Sequence, residues 1–123
     1  MAILDANLLF SEGQKITGTA ESGAVDFQEP GDAVGQELTI RAIVTETFAG
    51  ASGVQIKLQT SANNSDWEDV IMTPVIPVAK LTRGAEAFRV RTPNGLKRYA
   101  RLQYVVSGTA SAGAFTAYMS KEL

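Results

Sequence analysis

Strict alternation of apolar and polar residues is the feature of this chain that most constrains its fold. Successive side chains of an extended strand point to opposite faces of a sheet, so a period of two predicts a strand with one buried and one exposed face. The period recurs in residues 38–45, 54–59 and 88–91. The clearest run places Ala100, Leu102, Tyr104 and Val106 between Tyr99, Arg101, Gln103 and Val105.

Short turn signals separate these alternating runs at fairly regular intervals. Asn94-Gly95 is the sharpest, because both residues tolerate positive φ, and it predicts a tight hairpin. Many short strands with this spacing are typical of a sandwich, jelly roll or barrel. The turn segments are residues 11–13, 29–32, 49–53, 62–66, 93–95 and 108–113.

The sequence therefore predicts an all-β fold, an antiparallel and jelly-roll-like β-sandwich of about eight strands. Pro74 and Pro77 cannot donate ladder hydrogen bonds, so residues 75–78 should lie at an edge or in a crossing loop. The predicted strands are residues 14–20, 24–28, 37–47, 54–61, 67–73, 75–78, 87–92 and 98–107, with residues 114–120 closing the sheet.

We expect two parts in the chain, a short N-terminal arm of residues 1–12 and a single β-sandwich domain of residues 13–123. The arm lacks alternation and could form one helical turn, which is marginal in water at that length. Exposed, its cluster of Leu8, Leu9 and Phe10 would be an unexplained apolar patch. We expect that cluster to be buried against a neighbouring molecule or against its own sandwich.

Two absences narrow the chemistry, since the chain contains no cysteine and no histidine. Disulfides, thiolate nucleophiles and the commonest general base near neutral pH are thereby excluded. The formal net charge of −2 gives no bulk attraction to nucleic acid or anionic membranes. We expect no enzymatic activity, no cofactor, and neither nucleic acid nor membrane as a partner. The start of the chain has no basic region typical of a secretory signal, which favours synthesis in a cytoplasm.

Three carboxylates, Asp66, Glu68 and Asp69, flank the only tryptophan, Trp67. A glycosidase would need two carboxyl groups across a sugar-sized cleft, one with a raised pKa. A Ca²⁺ loop is also conceivable, but the spacing lacks the EF-hand pattern. The simpler interpretation is a solvated turn with Trp67 in the core.

Basic residues concentrate in one region, and the sequence predicts that they lie along one hairpin: Arg83, Arg89, Arg91, Lys97, Arg98 and Arg101. Four of these arginines, Arg89, Arg91, Arg98 and Arg101, are candidate contacts. A nucleic-acid surface would need interleaved aromatics and a basic excess. Tyr99 supplies one aromatic, but the acidic total argues against that hypothesis. A solvated strand face and a surface for an acidic protein remain the alternatives.

Several motifs follow one another at family-specific spacing along nearly the whole chain. They are Ile3-Leu4-Asp5-Ala6, Phe10-Ser11, Val44-Thr45-Glu46-Thr47-Phe48-Ala49-Gly50, Leu58-Gln59-Thr60-Ser61, Arg98-Tyr99-Ala100-Arg101-Leu102 and Ser107-Gly108-Thr109. In these motifs the chain resembles the capsid cement (decoration) proteins of tailed bacteriophages, the family typified by the cement protein of a Bordetella phage.

The resemblance implies a jelly-roll or related β-sandwich domain on the outside of an icosahedral head. Such a domain braces neighbouring capsid subunits and has no catalytic residues. The implied partner is the major capsid protein, with a homodimer on the shell expected first and a trimer second. Outward apolar residues such as Ile43 and Val105 are candidate contacts, together with the arginines and the apolar arm. The alternative is a carbohydrate- or receptor-binding jelly-roll module on the virion, since such folds often serve as lectins.

Overall fold

The chain folds into two antiparallel β-sheets packed face to face in a computed structural model that describes residues 9–27, 38–93 and 96–121. These residues contain no α-helix, only one 3₁₀ turn at Val78–Lys80. None of their helical segments is long and apolar enough to cross a bilayer. The strands are β1 Leu9–Lys15, β2 Ala20–Glu21, β3 Val25–Asp26, β4 Leu38–Ala49, β5 Gly53–Ser61, β6 Glu68–Met72, β7 Ile76–Pro77, β8 Glu86–Arg91, β9 Tyr99–Ser107 and β10 Ala112–Lys121.

The strand order is that of a long hairpin rolled up on itself. Sheet A has the order β1-β10-β4-β8, and sheet B the order β2-β9-β5-β6, with β3 beside β9 and β7 beside β5. The pairing runs from the ends of the chain towards its middle. Strand β1 pairs with β10, β2 and β3 pair with β9, β4 pairs with β8, and β5 pairs with β6 and β7. This winding is a jelly roll, and the predicted all-β sandwich is confirmed.

The core lies between the sheets and consists of the inward side of each alternating strand. Ile56 pairs with Tyr104 and Leu58 with Leu102, and all four side chains are fully buried. From the opposite sheet, Phe115 stacks on Tyr104 with a ring-centroid distance of 4.8 Å. Each such side chain contributes about 1.5–3 kcal/mol when it leaves water, so the stability of the domain depends on this interior.

A hydrogen bond inside the core joins β1 of sheet A to β9 of sheet B. The hydroxyl of Tyr104 lies 2.8 Å from Ser11 Oγ, and Ser11 Oγ donates to Gln14 Oε1 at 2.7 Å. Since the Ser11 proton is directed at Gln14, the Tyr104 hydroxyl is the donor to Ser11. Burial raises the pKa of Tyr104 to about 12, because the phenolate would lose its hydration.

Two loops rich in small residues carry the chain between the sheets at one end of the sandwich. The loop of residues 50–52 leads from β4 to β5, and the loop of residues 108–111 leads from β9 to β10. Ser111 N–H of the second loop donates to the carbonyl of Ala49, the last residue of β4, at 2.8 Å. A β-carbon at Gly50, whose φ is +91°, would lie 2.8 Å from Ser111 N. Small residues are needed here because the two backbones touch.

The N-terminal boundary differs from the prediction. Strand β1 begins at Leu9 rather than at residue 14, and residues 14–20 are divided between the end of β1, a bend and the start of β2. Register shifts between Leu9 and Ser11 and between Ser11 and Gln14 mark irregularities in the pairing of β1 with β10. Such bulges interrupt the alternation of apolar and polar residues. The sequence pattern therefore did not predict the strand over residues 9–13. Residues 9–12 therefore belong to the sandwich, and the rest of the predicted arm lies outside the described residues.

The predicted hairpin at Asn94-Gly95 is wrong as a pairing of its two flanking strands. Strand β8 pairs with β4 in sheet A, whereas β9 pairs with β5 in sheet B. The connection is a crossing between sheets, since each flanking strand finds its partner far away in sequence. Positions 94 and 95 themselves lie outside the described residues. By contrast, β7 lies at the edge of sheet B, where the two prolines predicted it.

Replacing Gly50 by Ala should lower the free energy of unfolding by about 1–3 kcal/mol, because the added methyl group overpacks the contact with Ser111 and strains a left-handed backbone. Urea denaturation measures the change. Gly18→Ala is the matched control: a β-carbon there meets nothing within 4 Å, and its effect should stay within about 0.5 kcal/mol. Equal effects of the two substitutions would contradict the tight contact between the loops.

Replacing Tyr104 by Phe should lower the free energy of unfolding by about 1 kcal/mol at neutral pH, because the hydrogen bond to Ser11 is lost. The folded protein keeps the Tyr104 proton up to a pH of about 12, whereas the unfolded chain releases it near 10.0. The contribution of protonated Tyr104 to the free energy of unfolding is therefore fully present below pH 10. It is lost as the pH rises toward 12, and the loss amounts to about 2–3 kcal/mol. Denaturation across this range should show that additional loss in the wild type and not in the Phe variant.

Candidate functional site

The sequence-predicted contact residues lie on both outer faces of the sandwich, not on one. Ile43 is half-buried on the outer face of sheet A, opposite Thr116 and Glu86. Arg89 and Arg91 are exposed on β8 of the same sheet, where they pair with Arg41 and Thr39. Arg101 and Val105 lie on β9 of sheet B, and Arg98 directly precedes that strand. The four arginines therefore do not form the single basic hairpin that the sequence predicted.

The apolar N-terminal cluster is divided by the structure. Leu8 lies outside the described residues, and Leu9 is half-buried at the start of β1, opposite Tyr118. Phe10 is 4% exposed and belongs to the core cluster, so it is buried against its own sandwich. A deletion that extends through Phe10 would remove a core side chain along with any contact made by the arm.

The outer face of sheet B carries a chain of polar contacts that ends on an aromatic ring. Arg101 stacks on Trp67, with its guanidinium carbon 4.2 Å from the ring centroid. Arg101 Nε donates to Gln59 Oε1 at 2.8 Å, and Gln59 Nε2 donates to Asp69 Oδ1 at 2.8 Å. Asp69 in turn lies 3.5 Å from the ammonium group of Lys57. We call these five residues the Trp67–Arg101 network.

Trp67 lies on this outer face and not in the core where the sequence placed it. It directly precedes β6, is half-buried, and is covered by the Arg101 side chain. Because Ala100 and Leu102 are buried, period-two alternation directs Arg101 outward. A tryptophan that meets this arginine must lie on the same side of the sheet. No single-strand pattern shows the pairing, since β6 and β9 are joined only through β5.

Most other cations of this face have an acidic partner. Arg98 makes a bidentate pair with Asp26, with Nε–Oδ1 at 2.8 Å and Nη2–Oδ2 at 3.0 Å. The hydrogen bond and the charge of Asp26 raise the pKa of the Arg98 guanidinium. Lys97 lies 3.2 Å from Glu68. In the described part of the chain, Arg101 has no carboxylate within 4 Å.

The acidic loop before Trp67 is held together by the side chain of Asn63. Asn63 Oδ1 accepts from Ser65 N–H at 3.0 Å and from Asp66 N–H at 2.8 Å, which is an Asx turn. Asn63 Nδ2 also donates to Asp66 Oδ2 at 2.8 Å. Among residues 9–27, 38–93 and 96–121, no group of three or more acidic side chains is placed to hold a metal ion.

An open apolar groove of about 340 Å³ separates the β7 edge of sheet B from the β8 edge of sheet A. Residues 74–77, Lys80, Glu86 and Ala87 line it. Val75 is 53% exposed, and Met72, on the neighbouring edge strand, is 50% exposed. The two prolines predicted an edge for residues 75–78, but neither Val75 nor Met72 was identified from the sequence as an exposed apolar residue.

Comparison with models of known protein families shows the family of this chain. The Bbp16 family model matches residues 10–119. The chain belongs to the Bbp16 family. The family name indicates a protein of a Bordetella phage. No curated protein matches the chain.

Residues of this Bbp16-family chain that are apolar and exposed should contribute little to folding. We expect Met72→Gln and Val75→Thr each to change the free energy of unfolding by less than about 0.5 kcal/mol. Val54→Ala, at a fully buried position of β5, should cost about 2–3 kcal/mol by the same urea measurement. A large loss at Met72 or Val75 would show that these side chains support the sandwich itself.

Proposed function

We propose that this protein is a capsid cement, or decoration, protein of a tailed phage. It binds the outer surface of the icosahedral head and stabilises the contacts between major capsid protein subunits. Membership of the Bbp16 family carries the proposal, and the motifs shared with phage cement proteins support it. The protein is made in the host cytoplasm and resides on the exterior of the virion.

The physical character of the domain suits this role. Two sheets that share a close-packed interior resist deformation, and rigid surfaces lose little conformational entropy when they bind. A shell offers many equivalent sites, so a modest contact that each copy makes is multiplied when copies link neighbouring subunits. The proposed function is structural and needs neither catalysis nor a cofactor, in keeping with a sequence that has no histidine and no cysteine.

The proposed partners are the major capsid protein and further copies of this chain, with a homodimer on the shell first and a trimer second. In a closed symmetric shell each copy meets a symmetry mate or a capsid subunit. Nucleic acid and membrane are not part of the proposal. A sugar site would need an open aromatic ring, whereas Arg101 covers one face of Trp67 and Arg98 lies 5.1 Å from the Tyr99 ring centroid.

Purified protein should bind phage shells that lack it, saturably and in a stoichiometry set by the icosahedral lattice. It should also raise the temperature at which those shells come apart, because binding to the assembled state stabilises that state. Co-sedimentation and a thermal melt of the shells measure the two effects. Shells already occupied by the protein are the control and should bind no more.

Failure to bind unoccupied shells would overturn the proposed function. Clear micromolar signals on a glycan array, together with no affinity for shells, would favour the receptor-binding alternative.

A further inference from the structure

Arg101 is held in one orientation before any partner arrives. The Trp67 ring lies under its guanidinium group, and Gln59 accepts from its Nε. Gln59 is itself fixed, because it is 8% exposed and donates to Asp69. A side chain that is already ordered loses less entropy when it binds, so its contacts contribute more fully to affinity.

The charge of this ordered arginine is not neutralised. Neighbouring cations Lys57, Lys97 and Arg98 each pair with a carboxylate, whereas the only side-chain acceptor that Arg101 has in the described part of the chain is the neutral amide of Gln59. That bond uses Nε, so the two terminal nitrogens of the guanidinium group remain to donate to a partner. Their parallel N–H groups form a planar fork that matches the two oxygens of a carboxylate.

The surroundings favour a protein carboxylate over a polyanion such as nucleic acid. Asp69 is the next member of the network beyond Gln59, and Glu68 and Asp66 lie on either side of Trp67. Asp69 and Glu68 are paired with Lys57 and Lys97, so this part of the surface has no excess of positive charge. A nucleic acid, with one charge per phosphate, would gain little here, whereas a single aspartate or glutamate needs only the Arg101 guanidinium. Tryptophan and arginine are also the residue types that most often dominate protein–protein binding energies.

We propose that the Trp67–Arg101 stack is the anchor through which this protein holds the shell, and that it receives an aspartate or glutamate side chain of a capsid subunit. The proposal rests on the proposed function and makes it specific. It assigns the shell-facing surface to the outer face of sheet B. Among the arginines predicted from the sequence, it singles out one and adds a tryptophan that the sequence analysis placed in the core.

The test is a binding isotherm on shells that lack the protein, compared between the wild type and single variants. Arg101→Gln should weaken binding by about tenfold or more, as expected for a central contact. The affinity of Arg101→Lys should lie between those of the wild type and Arg101→Gln, since lysine keeps the charge but lacks the two parallel N–H donors. Trp67→Leu should weaken binding as well, because Arg101 then lacks its support.

Arg83→Gln is the matched control, because it removes the same charge from an exposed loop whose backbone bonds to Thr47 of β4, in sheet A. It should change affinity by less than about twofold, as exposed charges usually do. Urea denaturation of each variant separates lost binding from lost folding. If Arg101→Gln is too unstable for the assay, Arg101→Lys carries the comparison, and wild-type affinity in that variant would overturn the need for the fork.

The outcomes distinguish the two proposals. A wild type that does not bind shells overturns the proposed function and the anchor together. A wild type that binds, with Arg101→Gln binding equally well, overturns only the anchor. A labelled single-stranded oligonucleotide is the second probe: if it binds in an Arg101-dependent way while shell binding does not depend on Arg101, the partner is a polyanion and the carboxylate assignment is wrong.

Discussion

The stack of Tyr104 on Phe115 joins the two sheets, and the composition of the outer faces depends on it. Strand β9 places Tyr104 inward, and period two then places Arg101 and Gln103 outward. A shift of the β9 register by one residue would bury Arg101 and expose Tyr104. The protein would then lose both the burial of the Tyr104 ring and its hydrogen bond to Ser11. The core therefore fixes the surface chemistry of sheet B, and a binding face on β9 inherits the rigidity of the interior.

Period-two alternation predicted the strands that are regular and failed where pairing is irregular. The long strands β4, β5 and β9 lie within two residues of their predicted limits, because each has one dry face. The bulges of β1 removed that signal, and so did the shortness of β2 and β3. Asn94-Gly95 predicted a hairpin because turn chemistry is local, whereas the partners of β8 and β9 are decided by sheet-wide packing.

The candidate site was harder to predict than the fold for a related reason. Arg101 and Val105 were identified as outward residues, because alternation states the side on which each lies. Alternation does not state which strands share a sheet, so Arg91 and Arg101 were grouped although they lie on opposite faces. Trp67 was misplaced because it precedes its strand and its contact comes from β9, two strands away. A site assembled across strands is visible only once the strand order is known.

The paired charges of sheet B are better explained by positioning than by stability. Exposed ion pairs such as Arg98 with Asp26 contribute little to stability. Stability therefore does not account for a face on which Lys57, Lys97 and Arg98 all have carboxylate partners. Pairing does restrict the long side chains and removes competing anions from the neighbourhood of Arg101. If Arg101 is the proposed anchor, an incoming carboxylate would meet a cation that is ordered and has no carboxylate partner among the described residues. The paired neighbours would then set specificity, and the stack of arginine on tryptophan would supply the affinity.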